Sequence, residues 1–386
     1  MSGPGIVTPV TPELLRGAIE IEATEGVVRP HRLPAWARAQ WPDDQLAMAE
    51  SQPSGVRLAF RTTATAIELE LLATKVAYAG LAGASDGVYD LVVDGRLAAR
   101  ATSTGGHLLT IDLTTGAHDL RTGGVGAVAF HDLPPGAKDV ELWLSYTEAV
   151  ELLALRTDAP VAPAAPSSRP TWVHHGSSIS QGSSAAGPST TWAALAAAAG
   201  GVELVNLGFA GSALLDPFVA RTIRDTPADL ISLKVGINLV NHDLMRPRAF
   251  GPAVHGWLDT IRDGHPSTPL LVVSPICCPM HEDVPGPSAP DLTGAGVRFI
   301  ALGDPAASAS DLLTLTGIRA ELARIVGDRA ASDAHLHHLD GLDLYGAADH
   351  DEHPLPDQLH PDAETHHLIA ERFAACVFAP GGPFGA

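Results

Sequence analysis

The chain of 386 residues exceeds what one hydrophobic core comfortably organises, so its length predicts two domains. With 45% hydrophobic and 18% charged residues, the composition excludes a disordered chain. A formal net charge of -20 argues against nucleic acid or an anionic membrane as a partner.

The first residues, MSGPGIVTPVTPELL, contain neither a basic n-region nor an apolar h-region, so they do not read as a signal peptide. No uninterrupted apolar run reaches the ~18 residues of a membrane helix. Cys277, Cys278 and Cys376 form an odd set without C-x-x-C spacing, so no disulfide framework is expected. These features predict a reduced, soluble, cytoplasmic protein.

Residues 15–157 read as short strands separated by turns. The runs Val56–Phe60, Ala66–Leu72, Val88–Val93, Leu108–Leu113, Glu141–Tyr146 and Val150–Leu155 are apolar or alternating. In "LVVDGRLAA", Asp94-Gly95 supplies the two positive-φ positions of a type I′ hairpin turn. No helix-period segment interrupts the strands convincingly, so 1–157 is expected to be an all-β sandwich domain. The stretch "DAPVAPAAPSSRP", 158–170, is rich in proline and small residues and reads as a semi-rigid linker outside any ladder.

From 171 to 386 strands and helices alternate, which predicts a parallel sheet with helices on both faces. Strands are expected at Thr171–His174, Val202–Leu207, Leu230–Val235, Leu270–Ser274 and His337–Leu339. Helices are expected at Trp192–Ala199 with Gly200 at C′, and at Arg248–Arg262, Leu312–Val326 and Asp362–Phe378. Sites in such sheets form at the carboxyl ends of strands.

The most reactive-looking residues follow those strand ends. A serine hydroxyl is a poor nucleophile at neutral pH; it needs a base, a group that orients the base, and donors for the oxyanion. Ser178 lies in "GSSISQG" after the first strand, and Gly208 and Gly211 lie in "NLGFAGSALLDP" after the second. Asn238, an amide donor, lies in "LKVGINLVN" after the third. Asp357 and His360 lie in "PDQLHPDAETHHL", where a spacing of three lets a turn bring carboxylate to imidazole.

These four stretches, in this order, resemble the blocks of the SGNH (GDSL-type) serine esterase and acyltransferase family. The resemblance implies that 171–386 is the catalytic domain, an α/β three-layer fold of flavodoxin-like kind. It implies Ser178 as nucleophile, His360 as general base and then acid, and Asp357 as the group that orients His360. The implied oxyanion hole consists of the backbone N–H groups of Ser178 and Gly211 and the side chain of Asn238. No cofactor and no metal are implied. The chain departs from the family pattern twice, with Ser177 and Leu239 where aspartates are usual. Ser177 is expected to replace its aspartate as a weaker acceptor in the loop. The G-x-S-x-G elbow of ordinary α/β-hydrolases is absent, because position 180 is serine.

Over its whole length the chain is similar to two-domain acyltransferases of this family. That implies O-acyl transfer through an acyl-Ser178, from an ester or thioester donor (acyl-CoA among the candidates) to a hydroxyl of a bulky small molecule. Ester hydrolysis is the alternative, and a non-catalytic binding protein the third reading. The oligomeric state stays open.

Each of these residues also has a structural reading. Gly211 would serve equally as a turn glycine, Asn238 as a cap after a strand, and His360 as the start of a helix. Ser177, Ser180, Ser183 and Ser184 read as loop hydroxyls, His174 as strand and His175 as loop. "DHDEHP", 349–354, reads as a solvated loop, lacking a second cluster at zinc-like spacing. Cys277-Cys278 read as buried structural residues on the floor of the site. The preceding sandwich resembles carbohydrate-binding modules, yet the 5% aromatic content is thin for stacking on sugars. It is expected to wall one side of the cleft.

Overall fold

The computed structural model describes residues 5–385 except 82–85, 114, 294–295 and 308–310. The chain forms two compact units: residues 1–34, 50–168 and 187–189 make the first, and 35–49, 169–186 and 190–386 the second.

The first unit is built from two largely antiparallel sheets, one of eight strands and one of six. Ile67–Tyr78 is central to the first sheet, and its buried side chains alternate along the strand as a one-faced sheet requires. Leu69, Leu71, Val150 and Leu152 from this sheet join Leu58, Phe60, Leu91 and Leu142 from the other in one core. Apolar faces of two sheets closed on each other make a β-sandwich. The Asp94-Gly95 turn forms as expected: both residues have positive φ (48° and 77°), and Val93 pairs with Arg96 across it. The supposed linker differs from expectation. Val161–Pro163 pairs antiparallel with Arg57–Thr62 as the outermost strand of its sheet. A proline is tolerated there because its missing N–H faces away from the ladder.

Helices do interrupt this half of the sequence. Ala35–Gln40 and Asp44–Ser51 are helical, and residues 35–49 belong to the second unit. At six and eight residues they are too short to carry a readable helical period.

In the second unit, five parallel strands form one sheet: β1 (Thr171–Gly176), β2 (Glu203–Gly208), β3 (Leu230–Lys234), β4 (Leu270–Val273) and β5 (Leu336–Leu339). Their spatial order is β2-β1-β3-β4-β5, the flavodoxin-like order. Adjacent residues of β1 point to opposite faces. Trp172 stacks on Phe373 and meets Trp192 edge-on, whereas His175 packs against Trp257 on the other side. Helices Trp192–Gly200 and Ala363–Phe373 therefore cover one face, and Pro247–Gly264 the other. Gly200 is the last helical residue rather than C′; the left-handed cap is Gly201, with φ 65°. Leu315–Ala330 is the helix expected from residue 312. Among the described residues no helix is long and apolar enough to cross a membrane.

The register aligns three strand ends. Gly176 lies opposite Gly208, and His175 lies opposite both Leu207 and Leu233. The chain runs from β1 outward to β2 and returns to β3 on the other side of β1. That reversal opens a crevice at the carboxyl ends, where ligands bind in open α/β sheets.

Candidate active site

The loop after β1 turns directly into a four-residue helix, Ser178–Gln181, which ends at Gly182. Ser178 opens that helix, so its backbone N–H has no intrahelical acceptor. Ser177 precedes it and is buried, but its side chain makes no cap hydrogen bond. The loop-organising acceptor expected at 177 is therefore not supplied by this serine. One side chain from β2 helps to hold the loop. Asn206 donates to Ser180 O at 2.8 Å while its oxygen accepts from Gly208 N at 2.8 Å. Glycine is required at 208, because a Cβ there would lie 2.4 Å from Gln181 N.

Ser180 is more than a loop hydroxyl. It bonds His174 Nε2 at 2.8 Å, and His174 Nδ1 bonds Ser232 Oγ at 2.7 Å. Trp172 Nε1–H also donates to Ser232 Oγ, at 2.8 Å. Burial, aided by His175 and Lys234, drives His174 far below the usual histidine range, so the ring stays neutral. A neutral imidazole donates at one nitrogen and accepts at the other, which lets it bridge the two hydroxyls. His175 lies in β1 rather than in a loop and is buried, with Nδ1 2.8 Å from Leu207 O.

On the far side, Gln358 adopts φ 70° between Asp357 and His360. The turn lets Asp357 Oδ1 accept the backbone N–H groups of Leu359 and His360 at 2.9 and 2.7 Å. Asp357 Oδ2 lies 2.7 Å from His360 Nδ1, and His360 Nε2 lies 2.9 Å from Ser178 Oγ. Burial raises the Asp357 carboxyl, but the hydrogen bond and charge of His360, with the two backbone donors, hold it below the ordinary value. The carboxylate is thus ionised, accepts Nδ1–H, and leaves Nε2 as acceptor for the Ser178 hydroxyl.

The loops after β2 and β3 meet at the third corner. Asn238 is buried in the short helix Ile237–Asn241, and its Oδ1 accepts from Ala213 N at 3.1 Å. That bond directs Nδ2 away from the loop. Gly211 has φ 72°. Among the described residues nothing accepts the Gly211 N–H. The structure thus brings Ser178, Asp357, His360, Asn238 and the Gly208–Ala213 loop to one crevice.

The other candidates lie as follows. Cys277 and Cys278 are buried, and Cys278 Sγ donates to Gln358 O at 3.4 Å beneath the Asp357–His360 turn. "DHDEHP" is helical through Glu352 rather than a loop. Its Asp349 caps Gly346 N and pairs with Arg372 at 2.6 Å. Among the described residues no group of three or more His, Cys, Asp or Glu is placed to hold a metal.

Several neighbours carried no sequence signal. Gln181 Oε1 accepts Ala210 N at 2.9 Å, Gln45 Nε2 donates to Ala210 O at 2.8 Å, and His242 Nε2 lies 3.0 Å from Gly211 O. Phe299, in a hairpin of Ser288–Asp291 with Arg298–Ala301, donates its N–H to Asp357 O at 2.8 Å. Its ring meets the His360 imidazole edge-on, with centroids 5.7 Å apart.

Residues 170–280, spanning Ser178, Gly211 and Asn238, match the GDSL-like lipase/acylhydrolase family. The whole chain is similar to the salicylyl-acyltransferase SsfX3 from a tetracycline biosynthetic pathway, with 30% identity, 95% of each chain covered and a TM-score of 0.77. This chain belongs to the GDSL-like lipase/acylhydrolase family. It is accordingly an ester-acting enzyme of the acyltransferase and esterase kind. Two more distant structures share the fold. One is a GDSL-like lipase candidate from Bacteroides ovatus ATCC 8483, with 18% identity, 97% of each chain and a TM-score of 0.69. The other is an active-site mutant of a family two carbohydrate esterase from Clostridium thermocellum, with 14% identity, 96% of this chain, 97% of that one and a TM-score of 0.58. No curated protein sequence matches the chain.

Proposed function

We propose that this GDSL-family enzyme transfers an acyl group through an acyl-Ser178 intermediate to the hydroxyl of a bulky small molecule. The observation that carries the reading is the continuous relay from Asp357 through His360 to Ser178, with contacts of 2.7 and 2.9 Å. His360 Nε2 takes the hydroxyl proton as Ser178 Oγ bonds to the carbonyl carbon of an ester or thioester. The developing oxyanion is received by the N–H groups of Ser178 and Gly211 and by Asn238 Nδ2. Collapse expels the alcohol or thiol, which leaves with the proton held by His360. An acceptor hydroxyl then gives its proton to His360, attacks the acyl carbon, and releases Ser178.

The same intermediate hydrolyses when water takes the acceptor's place. Transfer is favoured because similarity to a salicylyl-acyltransferase extends over both units at 30% identity. A sugar-binding role for the sandwich finds little support. Of its described large hydrophobics with substantial exposure, Tyr78 is the one aromatic. We place the working boundary of the catalytic unit at Arg169, with residues 35–49 added to it.

The test incubates the enzyme with an aryl thioester, with and without polycyclic polyols, and follows products by mass spectrometry. Acylated polyol together with an acyl adduct on Ser178 supports transfer. Free acid alone, at every acceptor concentration, assigns hydrolysis instead. An unmodified Ser178 under turnover would remove the acyl-enzyme altogether.

A further inference from the structure

We propose that Gln45, supplied by the N-terminal half of the sequence, is a positioning residue for the oxyanion hole. The inference rests on the reading of Gly211 N–H as a hole donor. Gln45 Nε2 donates to Ala210 O at 2.8 Å. Ala210 C=O and Gly211 N–H belong to one peptide unit. That unit is planar and trans, so its carbonyl and its N–H point in opposite directions. A bond that fixes the oxygen therefore fixes the line of the N–H. Donation to the carbonyl also polarises the amide and makes its N–H the better donor.

The geometry around this peptide has no slack. A Cβ on Gly211 would lie 3.2 to 3.4 Å from Gln45 Nε2, Cγ and Cδ, so the glutamine lies flat along the glycine's Cα. Gln181 holds Ala210 N, His242 reaches Gly211 O, and Asn238 holds Ala213 N. Every polar backbone group from Ala210 N to Gly211 O is thereby engaged except Gly211 N–H.

Gln45 is itself well anchored. Leu46 N and Ala47 N donate to Asp43, at 2.7 and 2.9 Å, and Leu46 and Ala49 are buried. Upstream, Gln40 bonds Arg221 of the helix Pro217–Asp225, and the Arg221 guanidinium lies 4.8 Å from the Trp36 ring centroid. The helical excursion 35–49 is thus an active-site element encoded inside sandwich sequence. Deleting the N-terminal half would remove a part of the oxyanion hole's support along with the sandwich.

The experiment compares Gln45→Leu, Gln45→Glu and Gln45→Lys on a nitrophenyl ester. Leu and Glu lose the donor and are expected to lower kcat about three- to tenfold with KM unchanged, whereas Lys restores a donor and recovers most of the loss. An alkylboronic acid, whose tetrahedral adduct on Ser178 carries an oxygen in the hole, should lose affinity by the factor lost in kcat/KM. Packing alone would move neither the boronate ratio nor the lysine rescue, so the proposal is read from these even where a variant is less stable. Unchanged kcat and boronate affinity in Gln45→Leu, with Asn238→Ala crippled, overturn the clamp and leave the acyl-serine reading intact. An Asn238→Ala variant of full activity overturns the hole and the clamp together.

Discussion

Asn238 Oδ1 accepts the Ala213 N–H at 3.1 Å, so the end of the amide that remains for a substrate is the donor end. The bond makes Asn238 one-directional. Asn238→Ala is expected to lower kcat by about 10²–10³ without a comparable rise in KM. Asn238→Asp keeps the acceptor for Ala213 but presents a negative oxygen to the developing charge, so it is expected to lose at least as much. A steady-state comparison of the two on one nitrophenyl ester checks the assignment. An aspartate variant more active than the alanine one would show that position 238 does not face the oxyanion.

Asp357 is built to stay ionised. Burial opposes ionisation, but His360 and two backbone N–H donors outweigh it and keep the carboxyl below its ordinary value. A carboxylate depressed in the folded state adds stability at neutral pH and loses it only as pH falls through its folded value. Asp357→Asn is expected to lower kcat roughly 10³–10⁴-fold, because the amide no longer stabilises the imidazolium or selects its tautomer. Urea midpoints of wild type and Asp357→Asn should differ at neutral pH and converge only at strongly acidic pH. Convergence by pH 6 would contradict a carboxylate held low.

Much of this candidate site was legible because its chemically capable side chains sit where strands end. Ser178, Gly211, Asn238, Asp357 and His360 each follow an apolar run or precede a helix, and local chemistry marks such positions. What escaped was contact across long separations. Gln45 lies 165 positions from Ala210, in a helix too short to show a period. His174 lies in its expected strand, but its link to Ser232 depends on the sheet register that sets the two residues opposite each other. The edge strand Val161–Pro163 was hidden by composition, since proline content masks a ladder that needs few N–H groups.

Phe299 touches the site in two separable ways. Its N–H holds Asp357 O, and its ring packs edge-on against His360. Phe299→Ala removes the second and keeps the first. An aromatic pair of this kind is worth about 0.5–1.5 kcal/mol, so kcat/KM is expected to fall about two- to tenfold. Phe299→Leu should recover part of the loss by filling the volume. Equal kcat/KM in wild type and Phe299→Ala would mean that the ring does not steady the imidazole.

Lys234 ends β3 just before the Asn238 loop and is 4% exposed. Among the described residues its Nζ makes no hydrogen bond or ion pair. Burial pushes the ammonium down to about 8, with Cys278 opposing. At pH 7 the group is still charged, so the fold carries a cation that burial penalises. The sign follows from the folded value lying below the unfolded one. Between about 8 and the ordinary lysine value the unfolded chain binds more protons, so wild-type stability rises with pH across that window. Lys234→Met removes the charge at nearly constant shape and is expected to stabilise the protein by on the order of 3 kcal/mol at pH 7. Urea denaturation from pH 7 to pH 10 should show that advantage shrinking as the wild type loses its proton. A Met variant less stable than wild type at pH 7 would mean that the ammonium has a partner worth more than its burial costs.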